Sequence, residues 1–217
     1  MHLRSVNIGK KRTQINGSAL ETTGIYKTPA SGTVQVSARG LEQDFIGDQK
    51  NHGGSDQAIY VYGTRDYDWW RQELGRELEP GSFGENLTVS ELESAPLNIG
   101  DRLQVGPVTL EVSAARIPCS TLAARMRDPM FVKKYRRAER PGVYCRVTAA
   151  GPVQPGDAVV LLPYQGETIS VVEMFREHYR RDKNEADLRR ILMAPISVRA
   201  RTSLEANLEK VLAGREA

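Results

Sequence analysis

Short apolar runs with a period of two dominate the first two-thirds of the chain. Val34 and Val36 alternate with polar residues, and the run 108–114 and the positions 143–147 keep the same alternation. The run 58–62 is β-branched and aromatic, and Gly or Pro separates nearly all of these segments. The pattern predicts a mainly β fold. Many short strands and few helices favour a closed or nearly closed barrel, which removes exposed sheet edges.

Helical periodicity interrupts the strands three times and then dominates the C-terminal part. The predicted inserts are Thr64 to Leu74, a short helix after Pro118, and about Pro129 to Ala138. The predicted tail helices run from about Ser170 to Tyr179, from Asn184 to Leu192 and from about Val198 to Val211. We therefore predict a β domain over 18–163, with 1–17 as its N-terminal lead-in strand, and a three-helix appendage over 168–217. Three short helices bury little apolar surface alone, so the appendage is expected to pack on the β domain or on a partner.

The composition allows a buried core. Of the 217 residues, 40% are hydrophobic and 26% are charged, which excludes wholesale disorder. The two cysteines, Cys119 and Cys145, do not form a disulfide framework and no N-terminal signal segment is found, so a cytoplasmic location is expected. No apolar run approaches the roughly 20 residues of a membrane helix, so no membrane partner is expected.

Basic residues are concentrated in one stretch although the net charge is only +3. Positions 125–146 hold eight basic and two acidic residues, a local charge of +6, which leaves −3 for the remainder. A local positive field on a near-neutral body suits a small anionic ligand better than an extended nucleic acid. A solvated basic helix face is the alternative interpretation. Aromatic residues make up 6% and lack a regular spacing for base stacking, which argues against nucleic acid.

Cys119 is the strongest candidate for chemistry. It follows Pro118, comes after the predicted strand 108–114 and precedes a predicted helix. Backbone N–H groups at a helix N-terminus stabilise negative charge, and Arg116 and Arg125 are close in sequence. Both effects favour the thiolate, which is the nucleophilic and metal-binding form. The alternative is a small buried apolar side chain, which describes most free cysteines.

Cys145 lies within a predicted strand. It alternates with Tyr144 and Arg146 and shares a strand face with Val143 and Val147. This spacing is typical of a core position, and we interpret Cys145 as structural. Arg146 lies on the opposite face, where its side chain could reach a ligand.

A polar segment with two glycines precedes the strand 58–62. Gly53 and Gly54 permit positive φ and a close approach of the backbone to a ligand. Lys50, His52 and Asp56 surround them with a donor, a titratable imidazole and a carboxylate. A polar turn without function would have the same composition. The sequence contains neither paired zinc-ligand spacing nor a phosphate-binding or dinucleotide-binding motif.

Several segments occur in the order typical of one known family. They are Gly24 to Pro29, Gly40-Leu41, Gly47-Asp48, NHGGSDQAIYVY, FGENLTV, IGDRLQVG, RIPCSTLA and GVYCRV. Together they resemble the MOSC domain family, named for the molybdenum-cofactor sulfurase C-terminal domain, over about Ser18 to Leu162. The helical tail is similar to that of the branch linked to 6-N-hydroxylaminopurine resistance.

The resemblance implies a β-barrel that binds a molybdenum–pterin cofactor. In members that reduce N-hydroxylated compounds a cysteine ligates the metal, and by motif match this residue is Cys119. A soft thiolate is a suitable ligand for such a metal. The residues assigned to catalysis are Cys119, His52 and Lys50, and those assigned to the cofactor are Lys27, Gly53, Gly54, Asp56, Asn86, Arg116, Arg125 and Arg146.

Three hypotheses about function follow. The first is an oxidoreductase that reduces N-hydroxylated nucleobases or related small molecules at a molybdenum centre. Because the chain carries no flavin or iron–sulfur module, this activity is expected to need a separate electron-donor reductase. The tail is then expected to dock on the barrel, on a second subunit of a homodimer or on that donor, and not to join the reaction centre. The second hypothesis is a sulfur-carrier or cofactor-handling protein with a persulfide on Cys119, and the third is a nucleic-acid-binding barrel.

Overall fold

An eight-stranded sheet forms the centre of the computed structural model, which describes residues 1–214 except for the side chains of Ala19 and Lys50. Its strand order is β13-β9-β10-β11-β7-β8-β1-β4, and all neighbours are antiparallel except β7 and β8. The strands are β1 (Leu3–Gly9), β2 (Arg12–Asn16), β3 (Ala19–Thr23), β4 (Lys27–Pro29), β5 (Val34–Ser37), β6 (Gly40–Leu41), β7 (Ile59–Gly63), β8 (Leu87–Val89), β9 (Arg102–Val105), β10 (Val108–Ala115), β11 (Val143–Ala149), β12 (Gly151–Val153) and β13 (Val159–Leu162). Strands β12, β5 and β6 form a second sheet, and β2 and β3 form a separate hairpin.

The main sheet is not closed by a continuous strand ladder, so the predicted closed barrel is corrected. Strand β1 pairs with β8 along one edge, and β4 occupies the far half of its other edge. The contact with β13 is made by the two residues that precede β1. His2 forms an isolated bridge with Ala158, which precedes β13, and the Met1 carbonyl accepts a hydrogen bond from the Val159 N–H, 2.9 Å.

The predicted helices are present, and with them the mainly β fold class with helical inserts and a helical tail is confirmed. All three tail helices begin at side-chain caps, Ser170 in a capping box and Asn184 and Ser197 through their side-chain oxygens. The helices are α1 (Gln49–His52), α2 (Thr64–Leu74), α3 (Ser120–Met126), α4 (Phe131–Ala138), α5 (Val171–Tyr179), α6 (Glu185–Met193) and α7 (Val198–Ala213). The last three residues of the predicted appendage, 215–217, lie outside the described residues. Within the described part, no helix is long and apolar enough to cross a membrane.

An aromatic core lies where α2 and α4 pack near the main sheet. Trp70 is fully buried, stacks on Tyr135 with ring centroids 5.7 Å apart, and donates a hydrogen bond from Nε1 to the Tyr62 hydroxyl, 2.8 Å. Phe83 and Phe131 pack against the same indole. Since Tyr135 lies on α4, Trp70 on α2 and Tyr62 on β7, this cluster fixes both helices on the main sheet.

The tail docks on the β domain at two places. The Val171 N–H donates to the Leu97 carbonyl, 2.7 Å, at the start of α5. Arg176 on α5 pairs with Glu139 at the end of α4. At the start of α7, the Ser197 N–H donates to the Ser113 carbonyl on β10, 2.9 Å. The tail is therefore anchored on the β domain of its own chain.

Replacing Glu85 with Ala is expected to lower the free energy of unfolding by about 3 kcal/mol, because it leaves buried donors without an acceptor. The Glu85 side chain is fully buried, and burial raises its pKa although its hydrogen bonds oppose the rise. Its carboxyl accepts hydrogen bonds from the Gly81 and Phe83 N–H groups and the Tyr67 and Thr88 hydroxyls. Urea unfolding measures the change, with the exposed Glu42→Ala as the control. Equal unfolding free energies for the two variants would contradict this account.

Candidate active site

A pocket opens where the β2–β3 hairpin, the segment 44–57 and the start of α3 meet the main sheet. It encloses about 760 Å³ including the part open to solvent. The side chains that line it include Lys27, Asp44, His52, Gln57, Tyr60, Asn86, Arg116, Cys119 and Tyr144. Residues distant in sequence thus converge on one cavity.

Cys119 lies half-buried in this pocket, at the residue immediately before α3. Burial acts to raise the pKa of the thiol, but a hydrogen bond with His52 and the positive charge of Arg116 outweigh it and lower the pKa to about 6. The thiolate is therefore the main form at neutral pH. This electrostatic setting is the one that cysteine chemistry and metal ligation require.

Arg116 is a buried cation at the inner end of the pocket. Its side chain is 3% exposed, and its guanidinium lies near the rings of Tyr60 and Tyr135, 5.6 and 5.8 Å from their centroids. Among residues 1–214, no carboxylate pairs with it, and the Cys119 thiolate is one of the negative groups that act on it. Burial of a charge without a carboxylate partner costs free energy. The guanidinium of Arg116 therefore attracts negatively charged groups in the pocket.

His52 links the thiol to the sheet. Nδ1 of His52 lies 3.2 Å from the hydroxyl of Tyr144 on β11, and the same imidazole hydrogen-bonds with Cys119. His52 ends helix α1, and Gly53 follows it in extended conformation. Gly54 has φ 98°, a value that favours glycine, but neither glycine lines the pocket. The side chain of Lys50 lies outside the described residues, so its assigned role stays a prediction.

A buried polar row forms a second wall of the pocket. The ammonium of Lys27 pairs with the carboxylate of Asp44, and the Asn86 amide donates to the same carboxylate, 2.8 Å. The Asn86 side-chain oxygen accepts a hydrogen bond from the Tyr60 N–H, 3.1 Å. Burial lowers the pKa of Lys27, while Asp44 opposes this effect. Lys27 and Asn86 thus both line the pocket and are joined by a carboxylate that the sequence did not single out, while their assigned role toward a cofactor stays a prediction.

Asp56 and Arg146 do not line the pocket, in contrast to their predicted role. Nε of Arg146 donates to Asp56, 2.9 Å, and its guanidinium also pairs with Glu111, 3.1 Å. The other Asp56 oxygen accepts the Val198 N–H at the start of α7, 2.6 Å. The register places Arg146 on the face of β11 opposite Cys145, as expected, but that face meets the tail.

Arg125 is also held away from the pocket lining. Its guanidinium donates to the Ser82 and Gly81 carbonyls, 2.7 and 2.8 Å, and lies over the Tyr26 ring. Other basic residues of the stretch 125–146 form ion pairs, namely Lys134 with Asp128, Arg140 with Asp66 and Glu93, and Arg146 with Asp56 and Glu111. Three of the eight basic residues of this stretch therefore pair with carboxylates, and a fourth, Arg125, is held by backbone carbonyls.

Four of these pocket side chains were missed by the sequence, namely Asp44, Gln57, Tyr60 and Tyr144. Asp44 lies outside the quoted motifs, because its neighbours in the site come from distant strands. Gln57 and Tyr60 lie within NHGGSDQAIYVY and Tyr144 lies within GVYCRV, so the motifs could have pointed to them. The buried Oε1 of Gln57 has no hydrogen-bond partner among the described residues. The described part of the chain contains no group of three or more His, Cys, Asp or Glu side chains arranged to hold a metal ion.

Comparisons with known proteins identify the family of this chain. The MOSC domain family model matches residues 48–160, a segment that includes His52, Asn86, Arg116 and Cys119. The uncharacterised protein YflK of Bacillus subtilis is 37% identical over 189 residues, covering 87% of this chain and 85% of YflK. A protein named reductase from Gibberella moniliformis is 36% identical over 152 residues, which cover 66% of this chain but only 26% of that protein.

Solved structures show the same fold. The crystal structure of YiiM from Geobacillus stearothermophilus has a TM-score of 0.79 and 29% identity, and covers 95% of this chain and 98% of that one. YiiM from Escherichia coli has a TM-score of 0.75 at 21% identity, covers 99% of this chain and 94% of that one, and supports the fold alone. Since the family model spans more than half of its residues and YflK matches most of its length, the chain belongs to the MOSC domain family.

Proposed function

We propose that this protein is a molybdenum-cofactor-binding oxidoreductase that reduces N-hydroxylated nucleobases or related small molecules, with Cys119 as the metal ligand. The observation that carries the proposal is the Cys119 thiol, whose pKa is lowered to about 6 beside a buried arginine in an open pocket. The family is named for a molybdenum-cofactor enzyme, and the Gibberella relative is named a reductase. Both support the same class of chemistry.

The pocket suits such a cofactor in three ways. The thiolate is a soft ligand, and a metal that arrives bound to an organic cofactor needs few ligands from the protein. The buried Oε1 of Gln57, which lacks a partner among residues 1–214, can accept a hydrogen bond from a ring N–H of the pterin. The guanidinium of Arg116, which has no carboxylate partner there, attracts an anionic group.

The reduction converts an N–OH group to N–H and water, and consumes two electrons and two protons. When bound, the cofactor supplies the two-electron chemistry. Arg116 helps to keep Cys119 as a thiolate, and the imidazole of His52, which contacts both the thiol and the Tyr144 hydroxyl, is placed to pass a proton to the bound substrate. Lys27 and Asn86 present polar groups to the bound molecules from the opposite wall. We propose a separate reductase protein as the electron source.

Protein purified from a host that makes the cofactor is expected to contain about one molybdenum per chain, because Cys119 and Arg116 fit this group. It should convert an N-hydroxylated base to the amine when a chemical reductant supplies electrons. Elemental analysis and chromatography of the product measure the two results. Protein from a host unable to make the cofactor is the control.

Protein purified from the cofactor-producing host also distinguishes the reductase from the two alternative functions. A persulfide on Cys119, seen by mass spectrometry in protein without molybdenum, would favour a sulfur carrier and contradict the reductase. Salt-dependent binding of nucleic acid by protein that contains no molybdenum would favour the binding barrel.

A further inference from the structure

The segment 49–57 carries two pocket residues, but its own secondary structure does little to hold it in place. It consists of helix α1, two glycines and a 3₁₀ turn over Ser55–Gln57, and places His52 and Gln57 against the cavity. A four-residue helix is too short to be stable alone, and adjacent glycines add conformational freedom. The position of His52 and Gln57 must therefore be fixed by contacts with other elements.

The start of α7 supplies such contacts on the side away from the pocket. The Val198 N–H donates to Oδ2 of Asp56, 2.6 Å, and the Arg199 guanidinium donates to the Asn51 carbonyl, 2.8 Å. These two contacts act on the residues directly adjacent to Gln57 and His52. None of the residues that form them lines the cavity.

Asp56 is held between the tail and the β domain. Nε of Arg146 donates to its Oδ1, 2.9 Å, and the same guanidinium donates to the Ile196 carbonyl just before α7, 3.2 Å. The Ser113 hydroxyl donates to the Asp56 backbone carbonyl. Asp56 therefore couples the segment that carries His52 to β11 and the tail through its carboxylate, and to β10 through its backbone carbonyl.

We infer that the start of α7 positions the pocket residues His52 and Gln57 through the contacts of Val198 with Asp56 and of Arg199 with Asn51. Val198, Arg199 and Asp56 are positioning residues, because they act on groups in the pocket without touching its contents. The tail is then part of the site's construction and not only a docking element. The consequence for cofactor binding rests on the proposed function, whereas the positioning itself does not.

Val198→Pro tests the contact with a minimal change. Proline removes the N–H that reaches Asp56, yet it is favoured at the first position of a helix. The preceding Ser197 has φ −60° and ψ 148°, a conformation compatible with a following proline. Val198→Ala is the matched control, since it keeps the N–H and the Val198 side chain is 70% exposed. Arg199→Ala removes the second contact without introducing a proline.

The direct measurement is the ¹H–¹⁵N spectrum of the histidine side chains at one fixed pH, without metal. The chain has three histidines, and His2 and His178 lie outside the segment 49–57 and serve as internal references. We expect Val198→Pro to shift the His52 signals, Arg199→Ala to shift them less, and Val198→Ala to leave all three unchanged. Unchanged His52 signals in a folded Val198→Pro protein and in Arg199→Ala would overturn the inference.

Molybdenum content gives the second measurement. Val198→Pro is expected to retain at least about threefold less molybdenum than Val198→Ala when both are made in the same host. A shifted His52 signal with equal molybdenum content would overturn the role in the site. Wild-type protein without molybdenum would instead contradict the proposed function, while the His52 signals would still decide whether the tail positions the segment.

Discussion

Replacing Cys119 with Ala should lower the molybdenum content of the purified protein at least about tenfold, since it removes the ligand through which the chain would hold the metal. The thiol lies in the pocket, carries a pKa lowered to about 6 and contacts His52. The described part of the chain contains no group of three or more His, Cys, Asp or Glu side chains that could hold the metal without Cys119. Elemental analysis measures the metal, and circular dichroism checks that the fold is retained.

Cys145→Ala provides the matched control. Cys145 is fully buried on β11, where it pairs with Val112 on β10 and Ile59 on β7, and burial raises the pKa of its thiol. The substitution should reduce the unfolding free energy by about 1 to 2 kcal/mol through a small cavity and leave the molybdenum content unchanged. If Cys119→Ala and wild type hold equal metal, Cys119 is not the ligand.

The secondary structure could be predicted because its signals are local. The period-two alternation of 108–114 and 143–147 became β10 and β11, and the stripe of Tyr67 and Trp70 became the buried face of α2. Helix α1 and the β2–β3 hairpin escaped prediction because both are short and polar. The open sheet could not be foreseen either, since closure depends on how much of the β1 edge remains after β4 has paired with it.

The candidate site, too, could be predicted only where its signals are local in sequence. Cys119 and Arg116 became candidates through one motif and His52 through another, and the structure brings the three side chains into one pocket. Arg146 and Asp56 were assigned to the cofactor, but the structure pairs them with each other and with the start of α7. Charge alone does not reveal which acid a base will meet across a sheet. Asp44 was missed for the same reason, since its partners Lys27 and Asn86 come from two other strands or strand ends.

Arg116→Met should raise the pKa of the Cys119 thiol in the metal-free protein from about 6 toward its ordinary value of 9.0. Burial by itself raises this pKa, and the guanidinium is one of the groups that overcome it, so its removal leaves burial less opposed. The rate of Cys119 alkylation as a function of pH, followed by mass spectrometry, reports the pKa. Arg116→Lys keeps the positive charge and should keep the pKa low. Arg125→Met, which removes a guanidinium held by backbone carbonyls, should leave it unchanged.

The lowered pKa of the Cys119 thiol also makes the free energy of unfolding depend on pH. A thiol whose pKa is lower in the folded than in the unfolded state stabilises the fold fully at pH values above its ordinary pKa of 9.0, and this contribution is lost as the pH falls toward about 6. Wild type should therefore gain unfolding free energy from this group between pH 6 and 9, and Arg116→Met should gain less. Urea unfolding at the two pH values measures the difference, and Cys119→Ala sets the baseline without the thiol. An equal pH-dependent gain in wild type and Arg116→Met, relative to that baseline, would show that the buried guanidinium does not hold the thiolate.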